Sequence, residues 1–95
     1  MNFGQAIEAL KAGKKVAREG WNGKGMWIAL MPAPPLAKVR TPQYIINGRT
    51  RKHIGDDKDL DSQPYLVMWT ATKQWQPGWL ASQADMLSED WSIVD

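Results

Sequence analysis

The sequence contains no cysteine, one histidine, one phenylalanine and no long apolar run. Without cysteine the chain has no disulfide, no thiolate nucleophile and no Cys-ligated metal. A transmembrane helix needs about 18 or more consecutive apolar residues, so none is expected. The N-terminus lacks the basic-then-apolar pattern of a secretory signal, which predicts a cytoplasmic protein. A length of 95 residues predicts a single domain over residues 1–95.

Most catalytic and metal-binding motifs are also missing. No G-x-S-x-G elbow occurs, and the glycines of residues 20–25 lack the spacing of a phosphate-binding or dinucleotide-binding loop. The lone His53 lies in a basic cluster, which favours a solvated residue over a catalytic one. Residues 57–61 begin like a calcium loop, but Ser62 and Met68 stand where glycine and glutamate are required. We therefore expect no enzyme activity, no metal and no cofactor.

Charge is divided unevenly along the chain. Residues 1–55 carry ten Lys/Arg and two Asp/Glu, a net charge of +8, whereas residues 56–95 carry two Lys/Arg and eight Asp/Glu, a net charge of −6. The two halves should therefore attract each other, within one subunit or between subunits. The total of +2 is too small for a protein that coats DNA, so no long nucleic acid is expected as a partner.

Tryptophan is abundant, with six residues in a chain of 95. Trp21, Trp75 and Trp79 stand beside glycine, proline or asparagine, where loops are expected. An indole on a loop is a stacking surface for a nucleobase, a sugar or a partner protein. The alternative is that all six belong to the core or to a subunit interface.

Hydrophobic periodicity and capping signals predict an α+β fold with antiparallel neighbours. Asn2 and Gln5 form a capping box before a longer N-terminal helix, and Ser82 and Asp85 form another before a short C-terminal helix. The run Met26–Met31 is expected to be a strand covered on both faces. The predicted elements are a helix at 3–12, strands at 16–18, 26–31, 65–71 and 90–94, a short strand from 75, and a helix at 83–88.

Residues 36–64 are the least readable part of the chain. Tyr44–Ile46 is compatible with a short strand or a helical turn. Arg49 and Arg51 could clamp an anion, because the guanidinium fork matches phosphate oxygens. The alternative for this basic cluster is an exposed surface loop.

Two blocks, with a strand between them, resemble a known family. The first block includes R-E-G-W-N-G-K-G at residues 18–25, the strand is M-W-T-A at 68–71, and the second block includes W-L-A-S-Q-A-D-M-L at 79–87. Together they resemble the second Thoeris anti-defence family of small phage and prophage proteins. About half of the chain is covered, in the same order.

This resemblance implies a sponge in the bacterial host cytoplasm that holds cyclic nucleotide immune signals without cleaving them. The signals are a cyclic ADP-ribose isomer made by the Thoeris system and, for some members, cyclic dinucleotides at a separate site. It further implies a homotetramer with pockets at subunit interfaces. Thr72-Lys73 replaces the Asp-Gly that members often carry, so a ribose contact from that acid is not expected.

The positions that match the family's blocks are the candidate ligand-binding residues, and Arg49 and Arg51 are added on charge alone. The matching positions are Trp21, Asn22, Met68, Trp69, Thr70, Trp79, Ser82, Gln83 and Asp85. Two other functions fit the same residues. One is a single-stranded nucleic-acid binder, and the other is a protein–protein module that blocks an immune enzyme.

Overall fold

A computed structural model describes residues 1–32, 48–55 and 63–95. It resolves into two compact units, which are Met1–Met31 with Tyr65–Asp95, and Pro32–Pro64. The first unit carries the sheet. The possible strand at Tyr44–Ile46 and the incomplete calcium loop at 57–61 lie outside the described residues.

Helix α1 spans Phe3–Lys11, and its ends are set by local chemistry. The Asn2 side chain accepts from the Gln5 N–H at 2.8 Å, and the Gln5 side chain accepts from the Asn2 N–H at 2.9 Å. Gly13 follows the C-cap at φ +88°, a conformation that glycine adopts without strain. The predicted capping box and helix are confirmed.

The sheet has five antiparallel strands in the spatial order β4-β3-β2-β1-β5. Short turns join β1 to β2 and β3 to β4, which explains why those pairs are neighbours. The predicted strands and the α+β class are confirmed. The strands are β1 Lys15–Arg18, β2 Trp27–Met31, β3 Tyr65–Trp69, β4 Trp75–Pro77 and β5 Trp91–Val94.

Two shorter helices complete the described elements. Helix α3 spans Gln83–Leu87 and begins with the predicted capping box of Ser82 and Asp85. Helix α2 spans Gly48–Ile54 in the second unit, so the basic cluster is helical rather than an exposed loop. None of the helices in the described ranges has the length and hydropathy that a membrane crossing requires.

The core lies between α1 and one face of the sheet. Ile28 is the central residue, because it pairs with Val16 on β1 and with Met68 on β3. These three side chains pack with Ala6 and Leu10 of α1 and with Trp91 of β5. Ala6, Val16 and Ile28 are completely buried. Burial of this apolar surface is the main stabilising contribution to the unit.

The opposite face of the sheet is less completely covered. Val67 is buried there, whereas Trp27 and Ala29 are half-buried and Met31 is 37% exposed. The expectation that the Met26–Met31 run is covered on both faces is therefore wrong for the face opposite α1. Ile28 meets the core while its neighbours face the other way, because successive strand residues alternate between faces.

Leucine-to-alanine substitutions at a buried and an exposed site should differ strongly in stability. Leu10 is 1% exposed and Leu80 is 92% exposed. We expect Leu10→Ala to lower the free energy of unfolding by about 2–5 kcal/mol, because it opens a cavity in the core. Leu80→Ala should change it by less than about 0.5 kcal/mol. Urea titration followed by tryptophan fluorescence measures both, and equal effects would contradict this placement of the core.

Candidate functional site

Arg18 at the end of β1 is bound by two carboxylates from the far end of the chain. Its Nη1 donates to Asp85 Oδ1 at 2.7 Å, and its Nε donates to Asp90 Oδ1 at 2.9 Å. The exposed fractions of the side chains are 14% for Arg18, 12% for Asp85 and 29% for Asp90. This ion cluster joins the basic first half of the chain to the acidic second half, as the charge distribution predicts.

The residues that follow Arg18 bind to the same carboxylates. The Gly20 N–H donates to Asp90 Oδ2 at 2.7 Å, and the Trp21 indole N–H donates to Asp85 Oδ1 at 3.0 Å. The Ser82 N–H donates to Asp85 Oδ2 at 3.0 Å. Asp85 therefore caps α3 and anchors the β1–β2 loop (residues 19–26) through one side chain.

These contacts change the acidity of both carboxyls. Burial by itself raises the pKa of Asp85, but hydrogen bonds from Trp21, from the Ser82 N–H and from Arg18 outweigh it and lower the value to about 2. The Arg18 guanidinium, helped by the Gly20 N–H, holds the pKa of Asp90 below its usual range. Both groups are therefore ionised at neutral pH, as the ion cluster requires.

A groove of about 370 Å³ lies beside the β1–β2 loop. Four of its strand residues share the sheet face opposite α1, because Ala17 pairs with Ser92 and is offset by one residue from the core pair Val16–Ile28. Trp21 and Lys24 line the groove from the loop, and Arg18 lines it from the end of β1. The four strand residues on the shared face are Ala17, Trp27, Ser92 and Val94.

The shape of the groove follows from side-chain size. Ala17 and Ser92 are small, so the surface is recessed where they pair. Trp27 rises on the β2 side, and Lys24 and Glu19 bring one charge of each sign. No ion pair joins Glu19 or Lys24 to another residue in the described part of the chain. The groove thus combines an aromatic wall with charged groups that are free to meet a ligand.

The six tryptophans form two groups of three. Trp21, Trp79 and Trp91 pack edge to face with ring centroids 5.3–6.2 Å apart, and they adjoin the core. The other three occupy paired positions on β2, β3 and β4, and we call them the aromatic row. They are Trp27, Trp69 and Trp75.

One lysine, Lys15, lies against the aromatic row. Trp27 and Trp69 stack with an interplanar angle of 22° and centroids 6.3 Å apart. Lys15 Nζ lies 4.9 Å from the Trp27 ring centroid, within the range of a cation–π contact. Trp75 is 49% exposed. Trp27 belongs to this row and to the groove, so the two surfaces are continuous.

The structure brings four of the predicted site residues together. Trp21, Trp79, Ser82 and Asp85 meet at the ion cluster, and of these only Trp21 also lines the groove. Asn22 is exposed on the loop next to Trp21. Gln83 is exposed at the first position of α3. A ligand role for these six residues stays a prediction.

The remaining predicted residues lie elsewhere. Met68 is 6% exposed and belongs to the core, and Trp69 belongs to the aromatic row. The Thr70 hydroxyl accepts from the Gln74 N–H at 3.0 Å and so closes the β3–β4 turn. The last two predicted residues are both on α2 in the second unit, where Arg49 is exposed and Arg51 is buried.

Several functional candidates were not predicted from the sequence. Arg18 is one of twelve Lys/Arg residues, and no local pattern distinguishes it. Lys24 lies in a block that resembles the family, and Trp27 and Asp90 lie in predicted strands, but none of the three is a predicted site residue. Strand alternation could have placed Trp27 on the same face as Ala17, but only after the register of β1 and β2 was known. In the described ranges, no three His, Cys, Asp or Glu side chains come together as a metal site.

Stability should depend on pH through Asp85. Its pKa is lowered from an ordinary 3.8 to about 2, so its ionised form stabilises the fold above pH 4 and that stabilisation is lost as the pH falls through 2. We expect Asp85→Asn to lower the free energy of unfolding by about 1–2 kcal/mol at pH 7, allowing for solvent screening. The deficit should shrink between pH 4 and pH 2. Urea titrations across that range measure it.

Glu8→Gln is the matched control for this substitution. Glu8 lies 3.7 Å from Lys11, and both side chains are well exposed. Exposed pairs of this kind contribute at most about 0.5 kcal/mol, so Glu8→Gln should change the free energy of unfolding by no more than that amount. Parallel pH curves for Asp85→Asn and the unmodified protein would contradict the assignment.

Comparison with known proteins identifies a family. The sequence matches the Thoeris anti-defense 2-like domain over residues 1–94. A curated relative from Bacillus phage SP01, named Thoeris anti-defense 2, is 36% identical over 97 residues, which cover 99% of this chain and 94% of the relative. The match extends well beyond the two sequence blocks and includes both the ion cluster and the groove. The resemblance is confirmed, and the chain belongs to the Thoeris anti-defense 2-like family of phage anti-defence proteins.

Proposed function

We propose that this protein counters bacterial immunity by binding cyclic nucleotide signals and holding them without cleavage. The observation that carries this proposal is the groove beside the β1–β2 loop, where Trp21, Trp27 and Lys24 line one cavity. A cyclic nucleotide presents flat bases and phosphate oxygens. Indole faces and a lysine are the groups that bind them.

The size of the groove favours a site that is completed by a second copy of the chain. Its volume of about 370 Å³ is near the lower end of the 300–1,000 Å³ typical of small-molecule sites. Alone it would leave much of a cyclic ADP-ribose isomer or a cyclic dinucleotide in water. A homo-oligomer, and a tetramer by analogy with the family, would enclose the remainder.

Sequestration without catalysis is consistent with the chemistry of the groove. The only hydroxyl that lines it belongs to Ser92, and within the described residues that hydroxyl has no hydrogen bond to a base. A serine nucleophile needs such a base to be activated. The charged lining groups, Arg18, Glu19 and Lys24, are suited to orienting a ligand.

The contacts that these groups can make are sufficient for tight binding. Nanomolar affinity corresponds to about 12 kcal/mol. Stacking contributes about 1–3 kcal/mol per base, and hydrogen bonds to charged groups contribute about 1.5–3 kcal/mol each. Two or three contacts of each kind in an enclosed pocket reach the required range after the costs of association.

A release assay tests the function directly. The protein is incubated with cyclic ADP-ribose isomers and cyclic dinucleotides, desalted, denatured by heat and analysed by mass spectrometry. We expect one or more cyclic nucleotides to be recovered intact in a fixed ratio to protein. Recovery of only linear or hydrolysed nucleotide would show an enzyme instead, and no recovery would contradict sequestration.

The aromatic row supports one rival function. Three indoles on adjacent strands with Lys15 resemble a stacking surface for single-stranded nucleic acid. That function predicts binding to long oligonucleotides that weakens steeply with salt. Fluorescence titration with a labelled oligonucleotide at two salt concentrations separates it from capture of small cyclic ligands.

Filling the floor of the groove should abolish capture while the fold persists. Ala17→Leu places a larger side chain between Trp27 and Ser92. We expect at least a tenfold loss of retained nucleotide in the release assay, with a melting temperature within a few degrees of the unmodified protein. Ala12→Leu, at an exposed position after α1, is the matched control. Full retention by a folded Ala17→Leu variant would place the ligand elsewhere.

A further inference from the structure

We propose that Arg18 is a positioning residue for capture. It fixes the β1–β2 loop, so that the groove is formed before the ligand binds and the bound ligand dissociates slowly. This inference rests on the proposed function. Arg18 itself lines the groove, but the two carboxylates that hold it do not, since neither Asp85 nor Asp90 belongs to the lining.

The Arg18 guanidinium is held in one orientation. Two of its nitrogens donate to two different carboxylates, at 2.7 Å and 2.9 Å. Lysine cannot reproduce this, because its ammonium is a point charge without a rigid fork. The bonds that define the end of β1 are therefore specific to arginine.

The start of the loop is attached to the same cluster. The Glu19 N–H donates to the Asp90 carbonyl at 3.1 Å, and the Gly20 N–H donates to the Asp90 carboxylate. A Cβ at Gly20 would lie 2.7 Å from Asp90 Oδ2 and 3.1 Å from Arg18 Nη2, so a side chain there would displace the Asp90 carboxylate that binds Arg18. Trp21 follows and is anchored through its indole N–H.

The middle of the loop is held by close packing. A Cβ at Gly23 would lie 2.5 Å from Met26 Sδ and 2.6 Å from the Cβ of Ala71. The loop is thus held at Gly20, Trp21 and Gly23, and Lys24 follows as an exposed groove residue. The position of Lys24 therefore depends on these anchors, and the carboxylates that hold them, Asp85 and Asp90, do not line the groove.

Pre-organisation of this kind acts mainly on the lifetime of the complex. A loop that is already ordered loses little conformational freedom on binding, whereas a loose loop must be ordered each time. Differences among variants of one binding site are expressed mostly in dissociation rates. A protein that works by retention depends on slow dissociation, so the Arg18 cluster bears directly on function.

Arg18→Lys and Asp90→Asn test the inference. Both should keep the fold and raise the dissociation rate of bound nucleotide at least tenfold, with a change of less than threefold in the association rate. The probe is whichever cyclic ADP-ribose isomer or cyclic di-GMP the unmodified protein retains, and stopped-flow tryptophan fluorescence measures the rates. Asp95→Asn, at an exposed position, is the matched control and should release at the unmodified rate.

Asp90 separates positioning from direct contact. Arg18 lines the groove, so its substitution alone could remove a ligand contact. Asp90 does not line the groove. It affects the groove only through its hydrogen bonds to Arg18 and to the Gly20 N–H of the loop. An unchanged dissociation rate in folded Asp90→Asn overturns the inference while sequestration stands.

Hydrogen exchange of the ligand-free protein gives a second readout. We expect the amides of residues 20–25 to exchange at least tenfold faster in Arg18→Lys, with β2 and β3 unchanged. Equal exchange in the loop overturns the inference whether or not any nucleotide binds. If Arg18→Lys fails to fold, Asp85→Asn removes the carboxylate that Arg18 and Trp21 share without changing the groove lining, and the same outcomes apply.

Discussion

The structure depends on the binding of Arg18 by Asp85 and Asp90. These acids lie 67 and 72 residues further along the chain, so their contacts with Arg18 join its two ends. Asp85 also caps α3, and Asp90 leads directly into β5. One arginine thereby sets where β1 ends, where β5 begins and how the C-terminal helix is oriented. Removing Arg18 would leave two partly buried carboxylates without their counter-ion, which is the costly way to break such a cluster.

The two groups of tryptophans differ in how far the fold itself engages their rings and N–H groups. Trp91 is 2% exposed, and its indole N–H donates to the Asp85 carbonyl at 2.9 Å, so its polar atom is satisfied within the fold. Trp21 is similarly engaged, which leaves part of its ring for the groove. In the aromatic row, Trp75 is 49% exposed, and no described hydrogen bond engages the indoles of the row. Part of the π surface of the row is used by the stacking of Trp27 on Trp69 and by Lys15, whereas about half of Trp75 is exposed.

Local chemistry made most elements predictable from the sequence. The caps at Asn2 and Ser82 were predictable because capping uses residues three positions apart. The strands were predictable because they are apolar runs between turn signals. The helical state of Arg49–His53 was not predicted, because no cap or apolar periodicity marks it. The expected burial of β2 on both faces is too high, because an apolar run in the sequence does not show which face of the strand packs against the core.

The site was less predictable, because its contacts are long-range. Asp85 was assigned to a cap, and nothing local reveals that the same carboxylate also binds Arg18 and Trp21. The sequence predicts that the Trp21 indole is a stacking surface on a loop. In the structure its N–H already donates to Asp85 Oδ1. Lys24 and Trp27 were assigned to no site, since the groove exists only where β1, β2 and β5 lie side by side.

The two sequence blocks that identify the family occur together for a physical reason. Arg18, Gly20 and Trp21 in the first block bind carboxylates within the second. Each block thus supplies half of one ion cluster, and neither half is satisfied without the other. These positions shape the groove, whereas Glu19 and Lys24 line it without being bound to the cluster through their side chains. A change at those two side chains therefore leaves the bonds that hold the loop in place. The carboxylates of the cluster lie outside the groove, whereas Arg18 and Trp21 belong both to the cluster and to the groove lining.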